Sequence, residues 1–420
     1  MALSDWSIVT RSVRARLFSS VTTIVTVGIA VALMTLLLSM KASGREAFSR
    51  GTGNAQMVVS RDPGALTSVL NNLFYADAPG TPIPWGDYED LASRYPFAWA
   101  EPTALGDSYQ GHHVMGVRRS FFVNFRPVSG EPFALASGRV FADDFELVLG
   151  AEAARATGLG IGDEISIEHG TPRQEGTHAH DTYSYGIVGV LEPTGSAHDR
   201  AIFSSLGSAW ILHAHDRIKD ERGADAPRTT RADLIPTDRK ITGVIASLGP
   251  RRAALNQVLQ AIRTDPDWTV AQPADTVRRL FEIVGSVDQL LIAMGVAVLL
   301  SSGVSIMVAL YNSMEQRRRQ IAVLRVLGAS RRRVFALVLS ESALIGLVGG
   351  ALGVVLGIVS GEVVRGILMA RLGLAVQPSL PIDGYLMMVL ATVALSAIAG
   401  IAPAVVAYRT SVVRALRPIG

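Results

Sequence analysis

The sequence predicts a membrane protein with four transmembrane α-helices and a large α+β extracytoplasmic (periplasmic) domain between the first and the second. Three observations predict it. Four apolar stretches are each long enough to cross a hydrocarbon core of ~30 Å, which takes about 20 helical residues. Arginines gather at one set of their ends. Between the first two stretches lie residues 41–283, far too many for a connection and enough for a folded domain. Composition agrees, because 49% of the 420 residues are hydrophobic and 18% charged, which suits a chain partly in lipid and partly in water.

The spans are placed at 17–40, 284–310, 334–359 and 385–408, and each is expected to be helical because lipid satisfies no backbone amide. The first is too long for the ~7–15-residue apolar core of a signal peptide, and no small-x-small cleavage site follows Met40. Arginine placement sets the orientation. Arg11, Arg14 and Arg16 fall in 1–16; Arg317, Arg318, Arg319, Arg325, Arg331, Arg332 and Arg333 fall in 311–333; Arg409, Arg414 and Arg417 fall in 409–420. The positive-inside rule puts these three segments in the cytoplasm, and 41–283 and the loop 360–384 on the other side. An even number of spans between the termini agrees with that placement.

The net charge of +3 says little, and a nucleic-acid partner is not expected, since aromatics are 6% and scattered and the arginines border apolar stretches. The absence of cysteine excludes disulfides, thiolate catalysis and thiolate-held metals.

In 41–283, short runs bounded by glycine or proline predict strands at Ala55–Ser60, His113–Val117, Glu146–Leu149, Glu164–Glu168, Tyr185–Leu191 and Ile241–Leu248. Helices are predicted at Pro84–Tyr95, Ala151–Gly158 and Arg252–Arg263. The charged segment Lys219–Arg239 reads as a mobile loop, and Thr276–Ile283 as a stalk continuing the second span. Within the spans, Gly349, Gly353, Gly357 and Gly361 recur at four-residue spacing, which lets helices approach closely, either within the chain against span two or four or between two copies. Asp288, Glu341 and Glu362 are charges in or near spans, with no paired relay that would mark an ion path.

The segment 315–334 reads EQRRRQIAVLRVLGASRRRV. It is expected to form a short amphipathic helix along the membrane surface, with Ile321, Leu324 and the neighbouring Val323 and Leu327 on its apolar side and Arg317, Arg318 and Arg325 on its polar one. Gly328 is placed to end it and Ser330 to cap the next helix. Charge alone would make it a topology anchor. Its order says more. The run E-x-R-R-R-x-I-A-V-L-R-x-L-G-A-S-R-R-x-V-F, leading into a glycine-rich span, resembles the MacB/FtsX family of ABC transporter permeases, as do the four-span layout and the stretch from Ser137 to Leu206. Gln320 departs from the glutamate common there.

The resemblance implies a permease subunit in a bacterial inner membrane that transmits ATPase-driven movement to its periplasmic domain, moving or releasing a substrate. It implies a coupling role for Glu315, Arg317, Arg318, Arg319, Ile321, Leu324, Arg325, Gly328 and Ala329, an ABC ATP-binding partner, a second permease copy, and a possible periplasmic partner or cargo. No GxxxxGK[ST] loop is present, so ATP and Mg²⁺ are expected on the partner rather than on a fused domain. A scaffold that activates a cell-wall hydrolase is the alternative from the same family.

All eight histidines lie in 41–283, and two H-A-H-D tetrapeptides repeat. His178, His180, Asp181, His213, His215 and Asp216 are candidate ligands for zinc, as cargo or regulator, set against a reading as solvated loop residues. Ser196, His198 and Asp199 are adjacent in sequence, which does not make a triad, so no catalytic residue is expected.

Overall fold

The computed structural model describes residues 17–77, 80–127, 130–170, 178–179, 182–223, 227–372 and 378–409, with the backbone alone at 169, 178–179, 252, 284, 286–288, 313–320 and 368–372. The chain divides into a helical unit (1–44, 284–367 and 377–420) and an α/β unit (45–283 and 368–376).

Among the described residues, four helices are long and apolar enough to cross a membrane. They are α1 (Leu17–Thr52), α8 (Pro273–Val326), α9 (Arg331–Leu372) and α10 (Ile382–Arg409). Glycines set how they pack. A Cβ added at Gly349, Gly353 or Gly357 of α9 would lie 2.8, 2.5 and 2.7 Å from Val27, Val31 and Thr35 of α1, so these three glycines are already filled by a helix of the same chain. On another face of α9, Gly346 and Gly350 receive Ser396 and Thr392 of α10, while Gly400 of α10 receives Ser342. Only Gly361 has room, its Cβ position 3.4 Å from Pro378. Gly349, Gly353 and Gly357 thus pack within the chain against span one, where span two or four was expected, and span four takes Gly346 and Gly350 instead. Val27, Val31, Ile306, Leu310 and Ile345 fill the centre, joining α1, α8 and α9. Glu341 is buried, at 4% exposure.

The α/β unit is built on a split βαβ plan. β1 (Met57–Ser60), α2 (Ala65–Phe74), β3 (Trp99–Tyr109), β13 (Gly243–Ser247), α7 (Arg252–Arg263) and β14 (Thr269–Ala271) form antiparallel neighbours in the order β14-β1-β13-β3. That is the arrangement of a ferredoxin-like β-α-β-β-α-β motif. Between β3 and β13 the chain inserts a second set of strands. β4 (His112–Val117), β11 (Ile202–Ser205), β6 (Glu146–Leu149), β10 (Tyr185–Leu191) and β5 (Leu135–Gly138) continue the same sheet from β3. β3 serves both halves: Trp99–Thr103 pair with β13 and Ala104–Tyr109 with β4, with a register shift between Leu105 and Asp107 inside the second pairing. It turns into β4 through Gln110 and Gly111, both at positive φ (45° and 83°), as a two-residue hairpin requires. Helices α3 (Trp85–Arg94), α4 (Phe121–Asn124), α5 (Ala151–Thr157) and α6 (Leu206–Arg222) and the two-residue strands β2 (Ile83–Pro84), β7 (Glu164–Ile165), β8 (Glu168–His169), β9 (His178–Ala179) and β12 (Lys240–Ile241) complete the unit with smaller turns.

Two expectations need correction. The segment 219–239 is not one loop. Lys219–Arg222 close α6, and the turns at Arg231–Asp233 and Pro236–Asp238 are pinned by Arg231 to Asp144 and Arg217 to Asp238. The segment 315–326 is not a separate helix. It is the end of α8, because no glycine or proline stands between Leu310 and Leu327 to stop it.

Candidate functional site: the ends of the long helices

Within the α/β unit, the last turns of α1 and the first of α8 share one aromatic core. Phe48 of α1 lies 4.7 Å from the ring of Phe74 and 5.5 Å from that of Phe281, the latter edge to face. Arg45 stands over Phe281, and Val277 is buried in the same cluster as Phe121, Phe125 and Phe203. Gly51 is glycine because Phe74 lies against its backbone, where a Cβ would come within 2.2 Å. α8 begins at Pro273, directly after β14, and proline suits the first turn of a helix, where its missing N–H goes unused.

His198 locks this junction. Its Nε2 donates to the Gly51 carbonyl at 3.0 Å, and its Nδ1 therefore accepts from the Tyr75 hydroxyl at 2.8 Å, which fixes the tautomer. Tyr75 caps α2 in the left-handed region, at φ 56°. The loop carrying His198 is shaped by Asp199, whose carboxylate accepts from the Thr194 and Gly195 amides at 2.7 and 2.8 Å and from the Thr194 hydroxyl at 2.7 Å. Burial pushes the Asp199 carboxyl up despite these bonds, and drives the Tyr75 phenol well above its ordinary value. Full burial lowers the His198 imidazole to about 4. An unfolded chain takes up a proton there near 6.5 and the folded chain only near 4, so this ring makes stability fall as pH drops through that window. The expected loss is about 3 kcal/mol, and thermal unfolding of His198→Asn against the parent from pH 4 to 7 should show the slope reduced by that amount.

The same geometry separates Ser196 from any base. Both ring nitrogens of His198 are engaged, and the Ser196 hydroxyl accepts the His198 backbone N–H at 3.3 Å and pairs with Thr194 at 2.7 Å. These three neighbours shape a loop, not a triad.

Among the described residues the zinc candidates are not brought together. His213 and His215 lie on α6, where residues two apart point to opposite sides. His215 is buried with Nδ1 3.0 Å from the Thr229 hydroxyl, while His213 is 41% exposed, 4.0 Å from Asp107. Asp216 follows them on the helix. His178 is described by backbone only, in a two-residue strand, and His180 and Asp181 lie outside the described residues. Among the described residues, no three His, Asp or Glu side chains form a metal-holding group.

At its other end α8 stops at Gly328, whose φ of 97° few other residues adopt. The Ala329 amide donates to the Leu324 carbonyl at 3.0 Å and the Gly328 amide to the Arg325 carbonyl at 3.1 Å, the paired bonds of a Schellman cap. Ser330 then accepts the Arg333 amide at 3.2 Å, opening α9. Ile321 is turned inward, packed with Val334, Val338, Ala404 and Ala407, and Leu324 is half-buried. The exposed apolar side chains are Val323, Val326 and Leu327, at 45, 66 and 79%. The sequence groups Val323 and Leu327 with Ile321 and Leu324 on one apolar side; the structure instead turns them onto a second, exposed face with Val326, which the sequence reading missed although the three are spaced i, i+3, i+4. Side chains of Glu315, Arg317, Arg318 and Arg319 lie outside the description; their backbone is helical.

Residues 20–264 match the profile of the MacB-like periplasmic core domain, and residues 292–412 that of the FtsX-like permease C-terminal region. The chain belongs to the MacB/FtsX family of ABC transporter permeases. Among similar curated proteins, an uncharacterised ABC transporter permease of Methanocaldococcus jannaschii is 30% identical over 101 residues, 24% of this chain and 25% of its own. The macrolide export ATP-binding/permease protein MacB of Marinobacter nauticus is 26% identical over 219 residues, 46% of this chain and 34% of its own. That of Shewanella sp. is 27% identical over 180 residues, 42% and 25% of the two chains. The permease thus spans a quarter to a third of the length of these relatives. The extracellular domain of YknZ, a noncanonic ABC-type transporter from Gram-positive bacteria, aligns over 45% of this chain and 89% of its own at 10% identity, with a TM-score of 0.26, too slight a likeness to carry an argument.

Proposed function

We propose that this permease is a mechanical transmitter. An ATP-binding partner in the cytoplasm seats on the end of α8, its ATP-driven movement passes along α8 and α1, and the α/β unit on the periplasmic side moves or releases a substrate. Two copies work together in the bacterial inner membrane, and ATP and Mg²⁺ are held by the partner. The observation that carries this reading is α8 itself, one unbroken helix from Pro273, beside β14, to Val326, beside the exposed Val323, Val326 and Leu327. An exposed apolar face of this kind, flanked by arginines, suits a protein partner. The opposed faces of His213 and His215 give the metal-delivery reading no support.

Purification from native membranes tests the seat on α8. The parent should co-purify with a P-loop ATPase and hydrolyse ATP, and Val326→Asp/Leu327→Asp should lose at least tenfold of both, since a charge in an apolar contact costs about 2 kcal/mol or more. Ile161→Asp, an exposed apolar site in the α/β unit, should lose neither. Equal ATPase recovery with Val326→Asp/Leu327→Asp would falsify the proposal.

A further inference from the structure

The α/β unit contains a cavity of about 600 Å³ between α3, the start of α6 and the turns at Arg231–Arg239, a size in the range of small-ligand sites. One wall is aromatic. Trp85 and Trp210 meet edge to face at 4.9 Å, and both indole N–H groups are engaged elsewhere, by Glu89 and by the Lys240 carbonyl, so the cavity receives ring faces rather than donors. Leu206 and Phe141 add apolar surface.

The opposite character comes from four arginines. Arg118 lies 5.0 and 5.1 Å over the rings of Trp85 and Tyr88, which hold the guanidinium in place through their π faces. Arg231 is paired with Asp144. Arg119 and Arg239 are exposed and have no carboxylate partner among the described residues, and of the acids among these residues only Asp144, bound to Arg231 and Ser205, borders the cavity. Gly207 lets the Asp144–Arg231 pair lie against the start of α6, since a Cβ there would strike Asp144 and Arg231 at 2.4 and 2.6 Å.

We infer that this cavity binds an amphipathic anion, an apolar or aromatic body against Trp85 and Trp210 with its carboxylate or phosphate on Arg118, Arg119 and Arg239. Apolar walls alone would take a neutral ligand, and arginines alone any anion. Together they select a molecule carrying both features. The inference extends the proposed function by naming a substrate class, but its test measures binding without nucleotide, so either can fail alone.

The test is equilibrium dialysis of the full chain in phosphatidylcholine nanodiscs, with 1-naphthyl phosphate as probe. Saturable binding is expected, at least tenfold tighter than that of 1-naphthol or inorganic phosphate, and weakened at least tenfold by Arg119→Gln/Arg239→Gln, two exposed positions that leave the core intact. Trp210→Ala should weaken it as well. Stronger competition by lysophosphatidic acid than by 1-naphthoate would assign the natural ligand to anionic lipids, and the reverse to soluble aromatic anions; both uphold the site. Absence of saturable binding, equal binding by the double arginine variant, or equal binding of inorganic phosphate overturns it.

Discussion

Gly353→Ala is expected to disrupt the helical unit, while Gly361→Ala leaves it folded. The two glycines belong to one stripe on α9, so a propensity argument predicts the same gain for both. Their surroundings decide otherwise. A methyl group at Gly353 would sit 2.5 Å from Cβ of Val31 and 2.6 Å from the Gly28 carbonyl oxygen. Both obstacles lie on or next to the backbone of α1, so neither can rotate aside and the helices must separate. Overpacking of that kind costs about 3 kcal/mol. In lipid, close packing of small residues is itself what holds helices together, so the loss has no hydrophobic compensation. At Gly361 the nearest atom is Pro378 at 3.4 Å, an ordinary contact. Thermal aggregation of the purified variants in mild detergent distinguishes the two. Equal stability would show that α1 does not pack on this stripe.

The second large effect is expected at Gly328. Gly328→Val should cut ATP hydrolysis by the assembled complex at least tenfold while the chain still inserts. No heavy atom lies within 4 Å of a Cβ at this position, so the cost is conformational: a β-branched residue resists φ 97°. Relief of that strain continues the helix or tilts the next one, and breaks the bonds from Ala329 and Gly328 that end α8. Val326 and Leu327, immediately before the turn, would then be re-aimed. Gly328→Asn, which tolerates positive φ, should retain most of the activity. The contrast between Val and Asn separates backbone geometry from side-chain bulk.

The parts of this molecule legible in sequence are those written in local pattern. The four spans follow from length and hydropathy, and β4, β6, β10, α3 and α7 from period and punctuation. The Gly328–Ser330 turn was readable because a glycine stop and a serine cap are local devices. β3 was not, since Glu101, Pro102, Gly106 and Asp107 look like breakers, yet they lie in an 11-residue strand paired with the next strand, β4, and with β13 some 140 residues on. The end of the second span near Leu310 was legible, since the apolar stretch closes at Asn312, but the run of helix on to Val326 was not; arginines do not end a helix. The glycine stripe announced close packing, but four-residue spacing names a face and never a partner. The His198 lock was illegible for a related reason. Its partners Tyr75 and Gly51 are 123 and 147 residues away, and only the fold brings them together.

The transmission claim is tested most directly by distance measurement in the assembled complex. The chain contains no cysteine, so a single Arg251→Cys on the α/β unit can carry a spin label in each copy without further changes. Pulsed electron resonance then reads the separation of the two labels with and without trapped ATP. The account expects the separation to shift between the two nucleotide states, and a Gly-Gly insertion after Gly285, which interrupts α8, to abolish that shift while the ATPase remains bound. An unchanged separation in the parent complex, or the same shift in the insertion variant, would contradict it.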